Sequence, residues 1–261
     1  MTESNTPTLA FDDILVPDAA AAQNEEWFEV SVDGATRRIR FHDYGAIYDV
    51  PGLYERLFYE ELECRSPTTV VGLLGEQLTE ADAEPGNLVA LDLGAGNGIV
   101  GEELQRLGVR SIVGVDLLPE AAAAAERDRP EVYDDYVVAD LTQLDDDDRE
   151  RLASRSFDCL TTVAALGFDD IPPQALATAY DLLEPGSWVA LTIKEDFLTT
   201  DDPSGFQRLI RRMLDDGMLE LRTERRYRHR LSSSGDPLYY IAMVAVKSDG
   251  RSCADLVAMD G

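Results

Sequence analysis

The chain has 261 residues, 51 of them acidic against 23 basic, for a formal charge of −28 at pH 7. That length is most simply one domain with a cap, enough to enclose a single sizeable core. The charge disfavours nucleic acid and other polyphosphate partners, whose affinity rests on cationic neutralisation of phosphate.

Residues 1–26 are polar and rich in Ala, Asp and Glu, with no periodic apolar face, and predict a flexible acidic tail. Trp27 to Val32 alternates, Asp33-Gly34 signals a hairpin turn, and Arg37 to Phe41 resumes as a strand. A helical pattern opens at Pro51-Gly52-Leu53-Tyr54 and runs to about Cys64, and a second spans Thr68 to Leu78 before a turn at Pro85-Gly86. Residues 27–86 thus read as an N-terminal hairpin and helical cap. Within it Tyr44 and Tyr48 stand four apart, so on a helix they share a face. Packing is the common fate of such tyrosines; contact with a ligand is the alternative.

The next stretch, Leu88 to Leu93, is an apolar run that breaks into glycines at 94, 96 and 98. Such a run reads as a buried strand of a parallel sheet. Alternate glycines let the following backbone turn tightly and lie flat against a ligand. A helical pattern then covers Ile99 to Leu107 and stops at Gly108. Strand, glycine loop and helix form the nucleotide-cofactor half of a doubly wound fold. The dinucleotide fingerprint G-x-G-x-x-G would place its third glycine at position 99. Here Ile99 stands there and the glycine arrives one residue early, at Gly98, with Asp92 two places before Gly94.

Ser111 to Val115 predicts a second strand ending in Asp116-Leu117. A carboxylate there can accept from both vicinal hydroxyls of a ribose, in NAD enzymes as elsewhere. Tyr136 to Ala139 predicts a third strand, ending in Asp140-Leu141. Singly, each aspartate could be a turn or helix cap; one near or after each of three successive strands points to a cofactor. A fourth strand follows at Phe157 to Val163, with the loop 164–168 beyond it and a helix from Pro173 to Leu183. Glu184-Pro185-Gly186-Ser187 reads as a turn into a fifth strand, Trp188 to Ile193. Phe206 to Met213 is helical, and Leu219 to Leu231 and Leu238 to Val246 form a closing pair of strands joined through 232–237.

Asp-x-Gly-x-Gly-x-Gly over 92–98, with aspartates closing the next two strands, resembles the first motif region of the class I S-adenosylmethionine-dependent methyltransferases. The resemblance covers about residues 40–247. It implies an α/β, Rossmann-like, doubly wound and mostly parallel seven-stranded sheet, with a C-terminal antiparallel hairpin and an N-terminal cap. The domain proper would span 87–247, followed by a tail at 248–261. It implies S-adenosylmethionine as cofactor, with Asp92, Gly94, Gly96 and Gly98 at the methionine end. Asp116, followed by Leu117, would take the ribose, Asp140 and Leu141 the adenine, and the backbone around Val163 would border the sulfonium. The helix with Phe-Asp-Asp-Ile-Pro at 168–172 resembles the methyltransferase-like group related to the Williams–Beuren region protein.

The family resemblance implies a small-molecule acceptor, held by the cap, the loop after the fourth strand and the segment 195–205. Methyl transfer depends on positioning and desolvation, so no universal catalytic residue is expected. Tyr48, His42 and Glu195 are candidates for contacting or deprotonating an acceptor. Rival readings are a non-catalytic S-adenosylmethionine-binding module, a protein methyltransferase, and an NAD(P) oxidoreductase. The missing third-place glycine and the closing hairpin argue against the last. The Asn/Asp-Pro-Pro-aromatic motif of nucleobase amino-methyltransferases is replaced by Ala-Ala-Leu-Gly at 164–167. The basic run Arg225 to Arg230 reads as local neutralisation of neighbouring acids. Lysine occurs only at 194 and 247, and with the abundant aspartate this suggests a salt-accumulating halophile, a high-GC non-halophile being the alternative. No apolar run approaches a membrane span, and the start lacks a signal peptide's features. Cys64, Cys159 and Cys253 have neither metal-ligand spacing nor an even disulfide set, so the expectation is cytoplasmic, without metal or membrane.

Overall fold

A computed structural model describes residues 11–18, 22–166, 171–198, 204–253 and 256. The chain divides into two compact units, residues 1–64 with 230–238, and residues 65–229 with 239–261.

The first unit opens on a three-stranded antiparallel sheet of β1 (Phe11–Leu15), β2 (Trp27–Val32) and β3 (Ala35–Arg40). Strand β1 corrects the expectation of an unstructured 1–26. Phe11 is buried opposite Val32, and Ile14 pairs with Val30 across an irregular register. Two core-side residues among aspartates are too few to show alternation in the sequence. Glu26, at the end of the same stretch, is buried against Arg230 at 2.5 Å and accepts from the Ser233 amide at 2.6 Å. That partner lies 204 residues on, which no local pattern reveals. Residues 1–10 of the expected tail lie outside the described residues. Then come α1 (Tyr44–Tyr48) and the single turn α2 (Leu53–Glu55), which runs into a π-helical turn at Arg56–Glu61. Tyr44 and Tyr48 do share a face, their rings near-parallel at 6.2 Å. Tyr54 lies 5.0 Å from Tyr48 and 4.9 Å from Phe58, which extends the stack.

The second unit begins with α3 (Ser66–Glu80), expected in the cap but grouped with the sheet. Pro67 suits its first turn, and Val70, Val71, Leu73, Leu74 and Leu78 bury one stripe. The chain continues through β4 (Val89–Leu93), α4 (Ile99–Leu107), β5 (Ser111–Asp116), α5 (Pro119–Asp128) and β6 (Asp135–Val138). It goes on with α6 (Asp146–Ala153), β7 (Phe157–Thr162), α7 (Pro173–Asp181), β8 (Leu183–Lys194) and α8 (Phe206–Asp215). The last strands are β9 (Leu219–Leu231) and β10 (Pro237–Lys247). The sheet order is β6-β5-β4-β7-β8-β10-β9, parallel through β8, with β10 antiparallel to it. This is the expected doubly wound sheet with its closing hairpin.

Strand β4 is central and is covered on both faces. Ala90 packs in the cluster of α3 and α4, Leu91 and Leu93 in that of α7 and α8. Burial on both sides explains the unbroken apolar run, each leucine contributing about 1.5–3 kcal/mol. Helix α6 buries only Leu152, so its sequence shows no helical period. Asp145 starts it by accepting from the Asp148 amide at 2.8 Å. The expected turn at 184–187 is absorbed into β8 as a bulge: Phe157 pairs with Leu183, and the next pair is Cys159 with Trp188. Gly186 takes φ +91° within it, and the Ser187 hydroxyl donates to the carbonyls of Glu184 and Phe157. No described helix is long and apolar enough to cross a membrane.

Candidate functional site

Strands β4, β5, β6 and β7 end at one edge of the sheet, where the glycine loop turns. The amides of Gly94 and Ala95 donate to the Val115 carbonyl at 2.8 and 3.1 Å, tying the loop to the end of β5. Gly94 has φ +73°, and a Cβ there would stand 2.7 Å from the Ala165 Cβ and 2.8 Å from Ile171 Cδ1. Only glycine fits both the conformation and the space. Gly98, also at positive φ, caps α4, whose Glu102 amide donates to it at 2.9 Å. The early third glycine is what lets the helix start at Ile99.

Asp116 closes β5 half-buried. Its Oδ2 accepts from the Gly96 amide at 2.9 Å and its Oδ1 from the Leu118 amide at 3.0 Å. An ionised carboxylate is an acceptor-only group, the type that suits a diol. The Ala139 amide donates to the Asp116 carbonyl at 2.9 Å, which brings the end of β6 alongside. Asp140 holds an Asx turn, accepting from the Thr142 amide at 2.8 Å and hydroxyl at 2.6 Å, and Leu141 is buried. Leu117 and Val138 are 57% and 41% exposed, unusual apolar surface at two neighbouring strand ends. Val163 is buried just past β7, and the Ala164 amide donates to the Thr192 hydroxyl at 2.7 Å. Gly167, Phe168, Asp169 and Asp170 lie outside the described residues, as do 199–203 of the expected acceptor segment.

The methyltransferase domain family matches residues 91–191, the span that holds this loop and all three aspartates. That span resembles a class I S-adenosylmethionine-dependent methyltransferase domain. Over 118 residues the chain is 32% identical to the mitochondrial ubiquinone biosynthesis O-methyltransferase of Candida albicans. That match takes in 43% of this chain and 35% of the relative, so the chain spans about a third of that protein's length. A S-adenosylmethionine-dependent methyltransferase from Clostridium acetobutylicum superposes with a TM-score of 0.51 at 15% identity, over 75% of this chain and 96% of that one. A Pyrococcus horikoshii protein described as an RNA methyltransferase gives 0.51 at 15%, over 71% and 87%. At that identity both similarities speak to the fold alone.

Two features of the methyltransferase domain depart from the sequence expectation. Asp92, expected to hold the methionine end, is buried at 1% exposure. One oxygen accepts from Tyr133 at 2.8 Å, the other from Thr161 at 2.7 Å. Burial raises its pKa to about 6, with the Asp116 charge adding to the rise and the two hydrogen bonds opposing it. The carboxylate therefore works inside the fold, below the loop. The second feature is a tyrosine pair that the sequence reading missed. Tyr136 donates to the Gly96 carbonyl at 2.8 Å, and the two rings meet edge-on at 5.3 Å. Burial pushes both phenols well above their ordinary range. The rings fit because Gly101 and Gly114 leave room: a Cβ would stand 2.8 Å from Tyr133 at the first and 3.0 Å from Tyr136 at the second. A glycine inside a helix and another inside a strand were the signal available in the sequence.

The catalytic candidates are divided between the two units. Glu195 follows β8 and accepts from Arg226 Nε at 2.9 and 3.1 Å, in an exposed ion pair. His42 and Tyr48 belong to the first unit, where His42 lies edge-on to Tyr44 at 5.7 Å and Tyr48 is buried. His229 is buried too, its Nδ1 2.7 Å from the Ser66 hydroxyl and its ring stacked on Tyr240. In the basic run, Arg225 pairs with Glu76, Arg226 with Glu195 and Arg230 with Glu26. This is the local neutralisation expected of it.

Proposed function

We propose that the chain transfers a methyl group from S-adenosylmethionine to a small-molecule acceptor. The observation that carries this reading is the half-buried Asp116 carboxylate, hydrogen-bonded to the loop's Gly96 amide and flanked by exposed Leu117 and Val138. An acceptor-only group beside apolar surface suits a ribose diol next to an adenine ring. The bound cofactor supplies an electrophilic methyl. Asp116 then orients the ribose, Asp140 and Leu141 border the adenine, and the loop 94–98 lies against the methionine end. Asp92 serves that end through Tyr133. Val163 and Ala164 wall the reacting centre and exclude water, and transfer is governed by alignment. None of these roles requires a base, and Glu195 is held by Arg226.

A small acceptor is favoured by the charge of −28 and by the acid partners of the basic run. The relative named as a ubiquinone biosynthesis O-methyltransferase supports the same reading. The test is incubation with methyl-labelled S-adenosylmethionine and a fractionated cell extract. Label should appear in the small-molecule fraction; label in protein or nucleic acid refutes the acceptor class.

A further inference from the structure

Two phenols converge on the glycine loop from below, and each fixes a peptide plane. The single Tyr133 hydroxyl proton is shared between Asp92 at 2.8 Å and the Ala95 carbonyl at 3.3 Å, while Tyr136 donates to the Gly96 carbonyl. A carbonyl and the next N–H point in opposite directions across one rigid plane. Holding the Ala95 carbonyl therefore aims the Gly96 amide, which donates to Asp116 Oδ2. Holding the Gly96 carbonyl likewise aims the Asn97 amide. The result is one connected path, from Asp92 through Tyr133 and the Ala95–Gly96 peptide to Asp116.

We propose that Tyr133 and Tyr136 are positioning residues for the cofactor, setting the two loop peptides and, through the first, the Asp116 carboxylate, with Asp92 as the anion that orients Tyr133. This rests on the loop 94–98 being the cofactor loop. Both tyrosines touch the loop from inside the fold and act through it. Asp92 ties the path to protonation, because a neutral carboxyl is a weaker acceptor for the Tyr133 hydroxyl. The groups around Asp92 are Tyr133 and Tyr136 near β6, Asp116 at the end of β5, and Thr161 and Cys159 on β7. The Glu102–Arg129 pair reaches the loop at the Asn97 carbonyl.

The experiment is calorimetric titration of the full chain with S-adenosylhomocysteine from pH 5 to pH 8, for the wild type and two variants. Wild-type affinity should fall as pH drops through about 6, the range in which Asp92 takes up its proton. Tyr136→Phe should weaken binding up to about tenfold across the range with the midpoint unmoved, the upper end of one hydrogen bond's contribution. Tyr133→Phe removes the hydroxyl that links Asp92 to the loop, so its affinity should be lower and should lose the fall through about pH 6. Rings that merely pack would leave both affinity and midpoint as in the wild type, and that result overturns the proposal. So does an affinity loss that comes only with a lowered melting temperature. If Tyr133→Phe fails to fold, Tyr136→Phe still decides by its affinity. A wild type that binds no S-adenosylhomocysteine overturns the cofactor reading as well, which separates the two failures.

Discussion

Asp92→Asn isolates the cost of a buried charge. The carboxyl's pKa is about 6 in the fold against 3.8 for the ordinary group, a rise driven first by burial. A group whose pKa is raised on folding favours the folded state in its protonated form. The stability it confers is complete below pH 3.8 and is lost as pH rises through 6. At 1.36 kcal/mol per pKa unit, about two units amount to roughly 3 kcal/mol lost by neutral pH. Asparagine has nearly the same shape and does not titrate in this range. Its stability minus that of the wild type should therefore grow by roughly 1.4 kcal/mol between pH 5 and pH 8, the share of the loss falling in that window. Urea unfolding of both proteins at four pH values in molar salt measures it, and taking the difference cancels the many other carboxylates. A difference that stays flat across pH would refute the argument that burial raises the Asp92 pKa.

Asp116→Ala should weaken S-adenosylhomocysteine binding by more than about tenfold, since hydrogen bonds to a charged group contribute about 1.5–3 kcal/mol; calorimetry reads it directly. Thr162 is fully buried and its hydroxyl has no hydrogen-bond partner among the described residues, so Thr162→Val should be neutral or stabilising by up to about 1 kcal/mol in urea melts. A marked loss would mean the hydroxyl has a use that the fold itself does not reveal. With a charge of −28, the melting temperature should climb between 0.1 M and 2 M potassium chloride, where the screening length falls from about 10 Å to below about 3 Å. Full stability in dilute buffer would count against adaptation to salt.

The sheet was legible because burial on both faces of β4 leaves an uninterrupted apolar signature, and because a glycine at 94 answers a steric need. The aspartates at 116 and 140 were legible because they close strands whose ends the sequence marks. Other parts depend on distant partners. Strand β1 exists through Val32 and Val30, and Glu26 is held by Arg230. The bulge in β8 looks like a turn locally, since Pro-Gly marks a change of direction without saying that pairing resumes on the same neighbour. Asp92 was assigned to the ligand because of its spacing from the glycines. Its inward orientation follows from Tyr133, 41 residues later, and Thr161, 69 residues later. Tyr133 and Tyr136 escaped notice for the same reason: their slot is made by glycines on α4 and β5, elements that meet only in the folded sheet.

The central claim is that the edge formed by the loop 94–98, Asp116 and Asp140 receives S-adenosylmethionine. Calorimetric titration of the intact protein with S-adenosylhomocysteine in molar salt tests this most directly. Saturable binding in the micromolar to sub-millimolar range, with nicotinamide dinucleotides giving none, is the predicted result. Absence of binding by a folded protein, or a preference for the dinucleotide, would contradict it.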